Sequence, residues 1–523
     1  MPDLVTSLSY THPWLGAVTS STVDPGGLNL VTDTTYEAPG TGWLRRLTKR
    51  LPAAVASGAP ASTAGLTLAY WGDKQQLGTA ICGLPASTPQ SGFLKSSTSP
   101  TPATGGAVVT EYVYDLFGRT VGTKRSGDTT WSCVTYDARG RVTQSVLSAF
   151  GSAASRTVTS SYAVGGNPLV TSTGDSVGTL TSTVDLLGRA VSSTDVWGTV
   201  TAPTYEALTG RVLSTSTTVA GQPAQVQSFT YNVDGQVESV SLDGTVMADP
   251  SYSGGLLTGV TYANGSALAN VTRSLAGAGT GFTWEFTAGD DVAESVVRSQ
   301  SGRIVRSTVT DGAVVEASTY SFDAAGRLTL AVIPRHELSY EYASSGGCGV
   351  NAAAGANGNR TGFTDLMDAG EATESTTSVQ YCYDHADRLT ATASTASGGS
   401  PVMAGSLSTA GPLPSLAYDA HGNTTRLADQ QIAYDVNDNH LATTLDDGTV
   451  IAYLRDATGS IVQRTHTPPT GPATVHKYTA GAVLDGAGTL IQRSMSLPGG
   501  ASRTDTGGTV AWSYPSMRGD VVL

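Results

Sequence analysis

Charge is scarce in this chain, at 14% of residues, and aromatic side chains are scarcer still, at 7%. The basic share is the smaller one. Lys and Arg total 29 against 42 Asp and Glu, a net charge of −13, which leaves no electrostatic footprint for nucleic acid. The single basic patch, "WLRRLTKRLP" with Arg45, Arg46, Lys49 and Arg50, reads as a solvated strand face. No apolar run approaches the roughly 18 residues that a membrane-spanning helix needs. The opening "MPDLVTSLSYTHPWLG" has neither the basic nor the apolar region of a signal peptide, so the chain is expected to be a piece of a longer one. Cysteine is rare too. Cys82, Cys133, Cys348 and Cys382 lie far apart, allow three pairings and show no metal-ligand spacing.

What the chain has in quantity is Gly, at 62 residues, with Thr, Ser, Ala and Val nearly everywhere. β-Branched residues fit a pleated surface and Gly serves turns, so strands are favoured over helices. Within that background a six-residue pattern recurs. Clear copies are "YDLFGR" at Tyr114, "YDARGR" at Tyr136, "VDLLGR" at Val184 and "FDAAGR" at Phe322. Looser ones are "YEALTGR" at Tyr205, "YNVDGQ" at Tyr231, "YDHADR" at Tyr383, "YDAHGN" at Tyr418 and "YDVNDN" at Tyr434. Worn copies include "YAVGGN" at Tyr162, "YSGGLL" at Tyr252, "RSQSGR" at Arg298 and "RDATGS" at Arg455. From Tyr114 to Tyr252 the intervals are 22, 26, 22, 21, 26 and 21 residues.

The pattern has a physical reading. Asp at the start and Gly three residues later suit a type I turn, with Gly free to take positive φ. Such a turn closes a three-residue hairpin loop with a bulge, and each repeat is then one β-hairpin of about 22 residues. Asp and Arg face each other as the closing cross-strand pair. The turn residues are therefore Tyr114, Asp115, Gly118 and Arg119; Tyr136, Asp137, Gly140 and Arg141; and Asp185, Gly188 and Arg189. Downstream they are Phe322, Asp323, Gly326 and Arg327; Tyr383, Asp384 and Arg388; and Tyr418, Asp419 and Gly422. By strand alternation Tyr112 and Tyr114 share one face and Val113 takes the other.

This motif resembles the YD repeat of RHS proteins, the family that includes bacterial polymorphic toxins, wall-associated proteins, toxin-complex components and teneurins. The resemblance covers residues 105–523, and "NGNRTGFTD" at Asn357, "LPGG" at Leu497 and "YPSMRGDVVL" at the end are family-like as well. Residues 1–104 look like worn upstream repeats of the actinobacterial type. The resemblance implies an all-β array of hairpins in one long curved sheet, a hollow shell enclosing a toxic polypeptide. Its partner would be a C-terminal toxin domain of a longer chain or a companion polypeptide, and its location secreted or at the cell surface. No "DPxG" follows the repeats, the only such run being "DPGG" at Asp24, so self-cleavage and toxin activity carry over to no residue. A free strand at each end of such an array is expected to make the isolated chain self-associate.

Other functional signals are thin. "STASGGSPVMAGSLSTAGPLPS", residues 394–415, reads as a long loop on the array. "GDSVG" around Ser176 has the nucleophile-elbow spacing, but β-branched residues follow it where the elbow needs a helix, and a turn is expected. "DVNDNHLATTLD" places Asp435, Asn437, Asn439 and Asp446 near calcium-loop positions, with His440 where Gly is required. His385 and His421 sit in turns and are expected to be exposed there. "RGD" at Arg518 reads as a strand end, and "AGAGTGF" at Ala276 lacks the Lys of a phosphate loop. No cofactor is implied. The expected function is structural; the alternative is a surface module that binds wall or host glycan through exposed Tyr and Trp, and a Ser176 hydrolase ranks third.

Overall fold

A computed structural model describes residues 4–11, 16–38, 46–54, 64–397, 406–411 and 414–521. Arg45 of the basic patch and residues 398–405 and 412–413 of the 394–415 insert lie outside the described residues. The fold is all-β. Forty-one strands are described, with two short 3-10 turns at Ala354–Asn357 and Pro498–Gly500. Nearly every strand pairs antiparallel with the next in sequence, so the chain is a meander of hairpins. That follows from the short spacing of turn motifs, because a parallel connection needs a crossover of a dozen or more residues.

The chain forms two compact units, each made of two separate segments. The first comprises residues 1–157 and 319–446, the second residues 158–318 and 447–523. In each unit the two segments contribute runs of hairpins that pack together. In the second unit Val240, Ala248, Val260, Leu268 and Trp284 from one run meet Met495, Leu497, Ala501 and Tyr514 from the other. Trp284 is 1% exposed, and its indole Nε1 donates to the Pro515 carbonyl at 3.0 Å. The first unit has smaller apolar clusters, one at Leu77, Val113 and Val121 and one at Ala54, Ala353 and Ala356. It also holds two disulfides, Cys82–Cys133 and Cys348–Cys382, which selects one of the three pairings open from sequence.

The 394–415 segment is only partly a loop. Strand Leu389–Ser397 runs through its first residues. Leu407 and Thr409 then hydrogen-bond to Thr392 and Thr390, and Ser408 accepts from the Leu416 N–H at 3.1 Å. Residues 407–409 thereby serve as a rung between the strands on either side.

Candidate functional site

Each clear motif builds the same turn. In the first, the Asp115 N–H donates to Arg119 O and the Gly118 N–H to Asp115 O, both at 3.0 Å. The Asp115 carboxylate reaches forward: Oδ1 accepts from the Phe117 and Arg119 N–H groups at 2.9 and 3.0 Å, and Oδ2 from Arg119 Nε at 2.7 Å. Asp137 with Arg141, Asp185 with Arg189 and Asp323 with Arg327 repeat this set. So does Asp384 with Arg388. Where Arg is replaced, an amide takes its part. Asn423 Nδ2 donates to Asp419 Oδ2 at 3.1 Å, and Asn232 faces Gln236 in "YNVDGQ". Burial pushes the Asp115 carboxyl up, but the N–H groups of Arg119 and Phe117 and the Arg119 guanidinium together hold it below the usual range.

The fourth position is left-handed in the clear copies, whereas in "YEALTGR" the left-handed residue is the fifth, Gly210. Gly118, Gly140, Gly188 and Gly326 have φ of 78°, 79°, 80° and 76°, and Gly422 has 93°. Asp387 and Asp438 occupy that position in the loose copies with φ of 58° and 61°. Side-chain partners hold both: Asn357 and Asn359 donate to Asp387, and Arg125, His421 and Asn423 to Asp438. Gly118→Val is expected to cost about 1–3 kcal/mol, since a β-branched residue is strained at this φ. A denaturant midpoint equal to wild type would show that the turn tolerates another geometry.

A second irregularity follows most of these turns and was not visible in the sequence. Tyr114 pairs with Thr120 but Val113 pairs with Gly122, so Val121 is an extra residue. The same bulge falls at Val191, Leu213, Thr390 and Thr425. A bulge breaks the ladder and bends the strand. The carbonyl just before it is taken by the motif Tyr of the following repeat. Tyr136 Oη donates to Thr120 O at 2.8 Å, Tyr205 to Ala190 O at 2.7 Å and Tyr231 to Val212 O at 2.8 Å. Tyr418 to Leu389 O and Tyr434 to Thr424 O continue the series at 2.8 and 2.9 Å.

The motif Arg completes the connection. Its guanidinium, held by its own Asp, lies over the Tyr ring of the following repeat. Arg119 is 4.4 Å from the Tyr136 centroid, Arg189 4.6 Å from Tyr205 and Arg388 4.8 Å from Tyr418. Asp fixes Arg, Arg covers the next Tyr, and that Tyr reaches back to the bulge. The motif is thus an inter-repeat staple as well as a turn. Phe322 and Val184 have no hydroxyl and cannot form its last bond. Tyr136→Phe is expected to lose about 0.5–1.5 kcal/mol, the net worth of one such hydrogen bond. A thermal melt unchanged by that substitution would remove the hydroxyl from the staple.

Several sequence expectations need correction. His421 is not exposed: its side chain is 0% accessible, stacks on Phe150 at 3.5 Å and sets Nδ1 2.8 Å from Asp438 Oδ1 and Nε2 3.3 Å from Asp128 Oδ1. A motif turn can be exposed at its tip yet buried where another segment lies on it. "YSGGLL" is a two-residue turn, with Ser253 opposite Leu256 and Gly254 and Gly255 both at positive φ. "YAVGGN" is a different loop, closed by the Val164 N–H on Val170 O. In turn, two copies were missed because neither begins with Tyr nor ends with Arg. In "TDVWGT" and "LDGAGT", Asp195 and Asp485 accept from the Thr199 and Thr489 N–H groups at 2.9 and 2.8 Å. "SMRGD" is the same turn, with the Ser516 N–H on Asp520 O at 2.7 Å, so the Arg-Gly-Asp run is turn rather than strand end.

The other motifs resolve into hairpin chemistry. Ser176 lies in a tight turn between strands Val170–Gly174 and Thr179–Val184, where the Asp175 N–H meets Gly178 O at 3.1 Å. Asp435 spends its carboxylate on the Asn437 and Asn439 N–H groups and on Asn439 Nδ2. Leu116, Phe117, Leu186 and Leu187 stand exposed at turn tips, so the exposed apolar residues of the motif are mostly aliphatic.

No family model matches the sequence, and no curated protein matches it. Among solved structures, the crystal structure of TcdB2-TccC3-Cdc42 is similar at 11% identity and a TM-score of 0.32, over 98% of this chain and 32% of that one. TcdB2-TccC3 is similar at 11% identity and a TM-score of 0.34, over 94% of this chain and 30% of the other. The Tc holotoxin pore of Photorhabdus luminescens gives 12% identity and a TM-score of 0.33, over 94% and 29%. The chain spans about a third of the length of these structures' chains.

Proposed function

We propose that this chain is a structural segment of an RHS-type, YD-repeat protein whose shell encloses and delivers a C-terminal toxin or effector, carried on the same polypeptide or a companion. The observation that carries the reading is the staple. The intact copies spend their charged and phenolic groups on their own turn and on the neighbouring hairpins, which is what a self-extending wall requires and what a reactive site cannot afford. Such a unit adds one hairpin at a time to a growing sheet, and its geometry is indifferent to what the sheet encloses. The proposed role is accordingly not enzymatic.

A secreted or surface location is part of the proposal. Two disulfides support it, because disulfides persist in oxidising compartments and are rare in reducing ones. The glycan-binding alternative relied on exposed Tyr and Trp, and the motif Tyr rings are covered by Arg in at least Tyr136, Tyr205 and Tyr418.

The test begins with the DNA on both sides of this reading frame, where a core segment, a toxin and an immunity gene are expected. The complete protein is then exposed to protease. The polypeptide downstream of the repeats should survive while the array is intact and be cut once the array is unfolded. Equal cleavage in both states would overturn the enclosing role.

A further inference from the structure

In the second unit the space between the two runs of hairpins is filled unevenly. One part is the apolar cluster around Trp284. Another is a cleft of about 320 Å³ whose wall is polar and apolar in nearly equal parts. Strand pairing tells which side chains point into it. Val219 is 1% exposed and packs against Ala482 and Leu484 of the opposite run. Thr217 and Thr215 precede Val219 at a period of two and share its face. Register brings in Thr201 and Gln225, both opposite Thr217, and Gln227, opposite Thr215. These positions present hydroxyls and amides to the cleft, beside the apolar Val219, Leu242 and Met495 that line the rest of it.

From the opposite run comes Arg493, directly across from the buried Ala482 and on the same face. Among the described residues it is the one charged side chain lining the cleft. Nη2 donates to Pro223 O at 3.3 Å, which ties the guanidinium to the other run. Its cross-strand neighbour Asp505 is engaged elsewhere, by Arg503 at 3.3 Å and by the Gly508 N–H at 2.9 Å. Among the described residues Arg493 makes no ion pair.

We propose that this cleft binds a small polyhydroxylated carboxylate, a sugar acid of the uronic or sialic class. Threonine hydroxyls and glutamine amides each donate and accept, the pattern that a ring of sugar hydroxyls requires. A planar guanidinium takes a carboxylate through two parallel hydrogen bonds. The volume falls at the lower end of the range for small-ligand pockets. With a chain charge of −13 the general field repels anions, so an anion that binds reports this local arrangement. Among the described residues no aromatic side chain lines the cleft, so a neutral sugar finds no stacking surface and gains nothing from the charge of Arg493. The inference does not rest on the shell reading; either can fail alone.

The experiment titrates the full chain with D-glucuronate, N-acetylneuraminate, D-glucose and acetate, by calorimetry and by chemical-shift mapping. One or both sugar acids should saturate, with shifts at Thr215, Thr217 and Gln227. Glucose and acetate should each bind at least about tenfold more weakly, since each lacks one half of the recognition. Arg493→Gln should weaken the sugar acid by a similar factor, and Arg493→Lys should keep more of the affinity. Thr215→Val tests the hydroxyl wall with the charge intact and should also weaken binding. Unchanged melting curves establish that the variants fold. The proposal is overturned if acetate matches the sugar acids, if glucose matches them, if Arg493→Gln leaves the affinity unchanged, or if no probe saturates.

Discussion

Asp384→Ala is expected to destabilise the first unit by about 3–5 kcal/mol, the range for breaking a buried ion pair from one side. Asp384 is 1% exposed and takes four donors. Oδ1 accepts from the Ala386 and Arg388 N–H groups at 2.9 and 3.0 Å, and Oδ2 from Arg388 Nε at 3.2 Å. The fourth donor comes from the other segment of the unit: the Ala103 N–H reaches Oδ2 at 2.9 Å. Arg388 crosses the same junction, donating to Thr104 O at 2.8 Å. Removing the carboxylate leaves a guanidinium whose side chain is 14% exposed without its counter-charge. It also leaves two turn N–H groups and one docking N–H without their acceptor.

The control is Asp185→Ala. That turn has the same internal bonds, but its carboxylate is 23% exposed and water can replace it. Its loss should be much the smaller. Chemical denaturation of both variants compares them, and equal shifts in midpoint would mean that docking through Ala103 contributes nothing. Arg388→Ala in the Asp384→Ala background should cost less than the sum of the two single changes, since it removes the stranded charge.

The turn was legible in the sequence because its chemistry is local: Asp115, Gly118 and Arg119 lie within five positions, and each type has one conformational use there. The alternation of Tyr112, Val113 and Tyr114 was legible for the same reason, and Val113 is 0% exposed. The staple was not legible, since Tyr136 Oη bonds a carbonyl 16 residues upstream that becomes available only at a bulge. Nothing in Val121 or Leu213 marks a bulge, because any side chain can occupy the extra position. Partners farther apart were more remote still. Asp384 finds Ala103, and Trp284 finds Pro515, through a pairing of distant segments that no local spacing encodes. His421 was misplaced for that reason: the turn was identified, but the distant segments carrying Asp128 and Phe150, which cover it, were not.

Acid should unfold the protein over a narrow range, and the repeated turn gives the reason. The Asp137 and Asp185 carboxyls are held below the usual carboxylate range first by the backbone N–H groups of Arg141 and Arg189, then by their guanidiniums. The Thr489 N–H does the same for Asp485. Asp438 is pushed up by burial, yet Arg125, His421 and Asn423 outweigh that and lower it. Asp368, bound by Arg335, is lowered to about 2. A group whose folded pKa is depressed contributes stability that is fully present above its unfolded value, about 3.9 for Asp, and is lost as pH falls through the folded value. In that window the unfolded chain binds more protons than the folded one, so each added proton favours unfolding. Because Asp115, Asp137, Asp185 and Asp485 are all lowered, the uptake on unfolding should exceed one proton. Melting temperature should therefore be nearly flat from neutrality to about pH 5 and fall steeply below about pH 4. Asp137→Asn with Asp185→Asn removes two of these groups and should make the fall shallower while lowering stability at neutral pH. A melting temperature that holds steady to pH values well below the unfolded Asp range would contradict the assignment of the turn carboxylates as ionised acceptors in the folded chain.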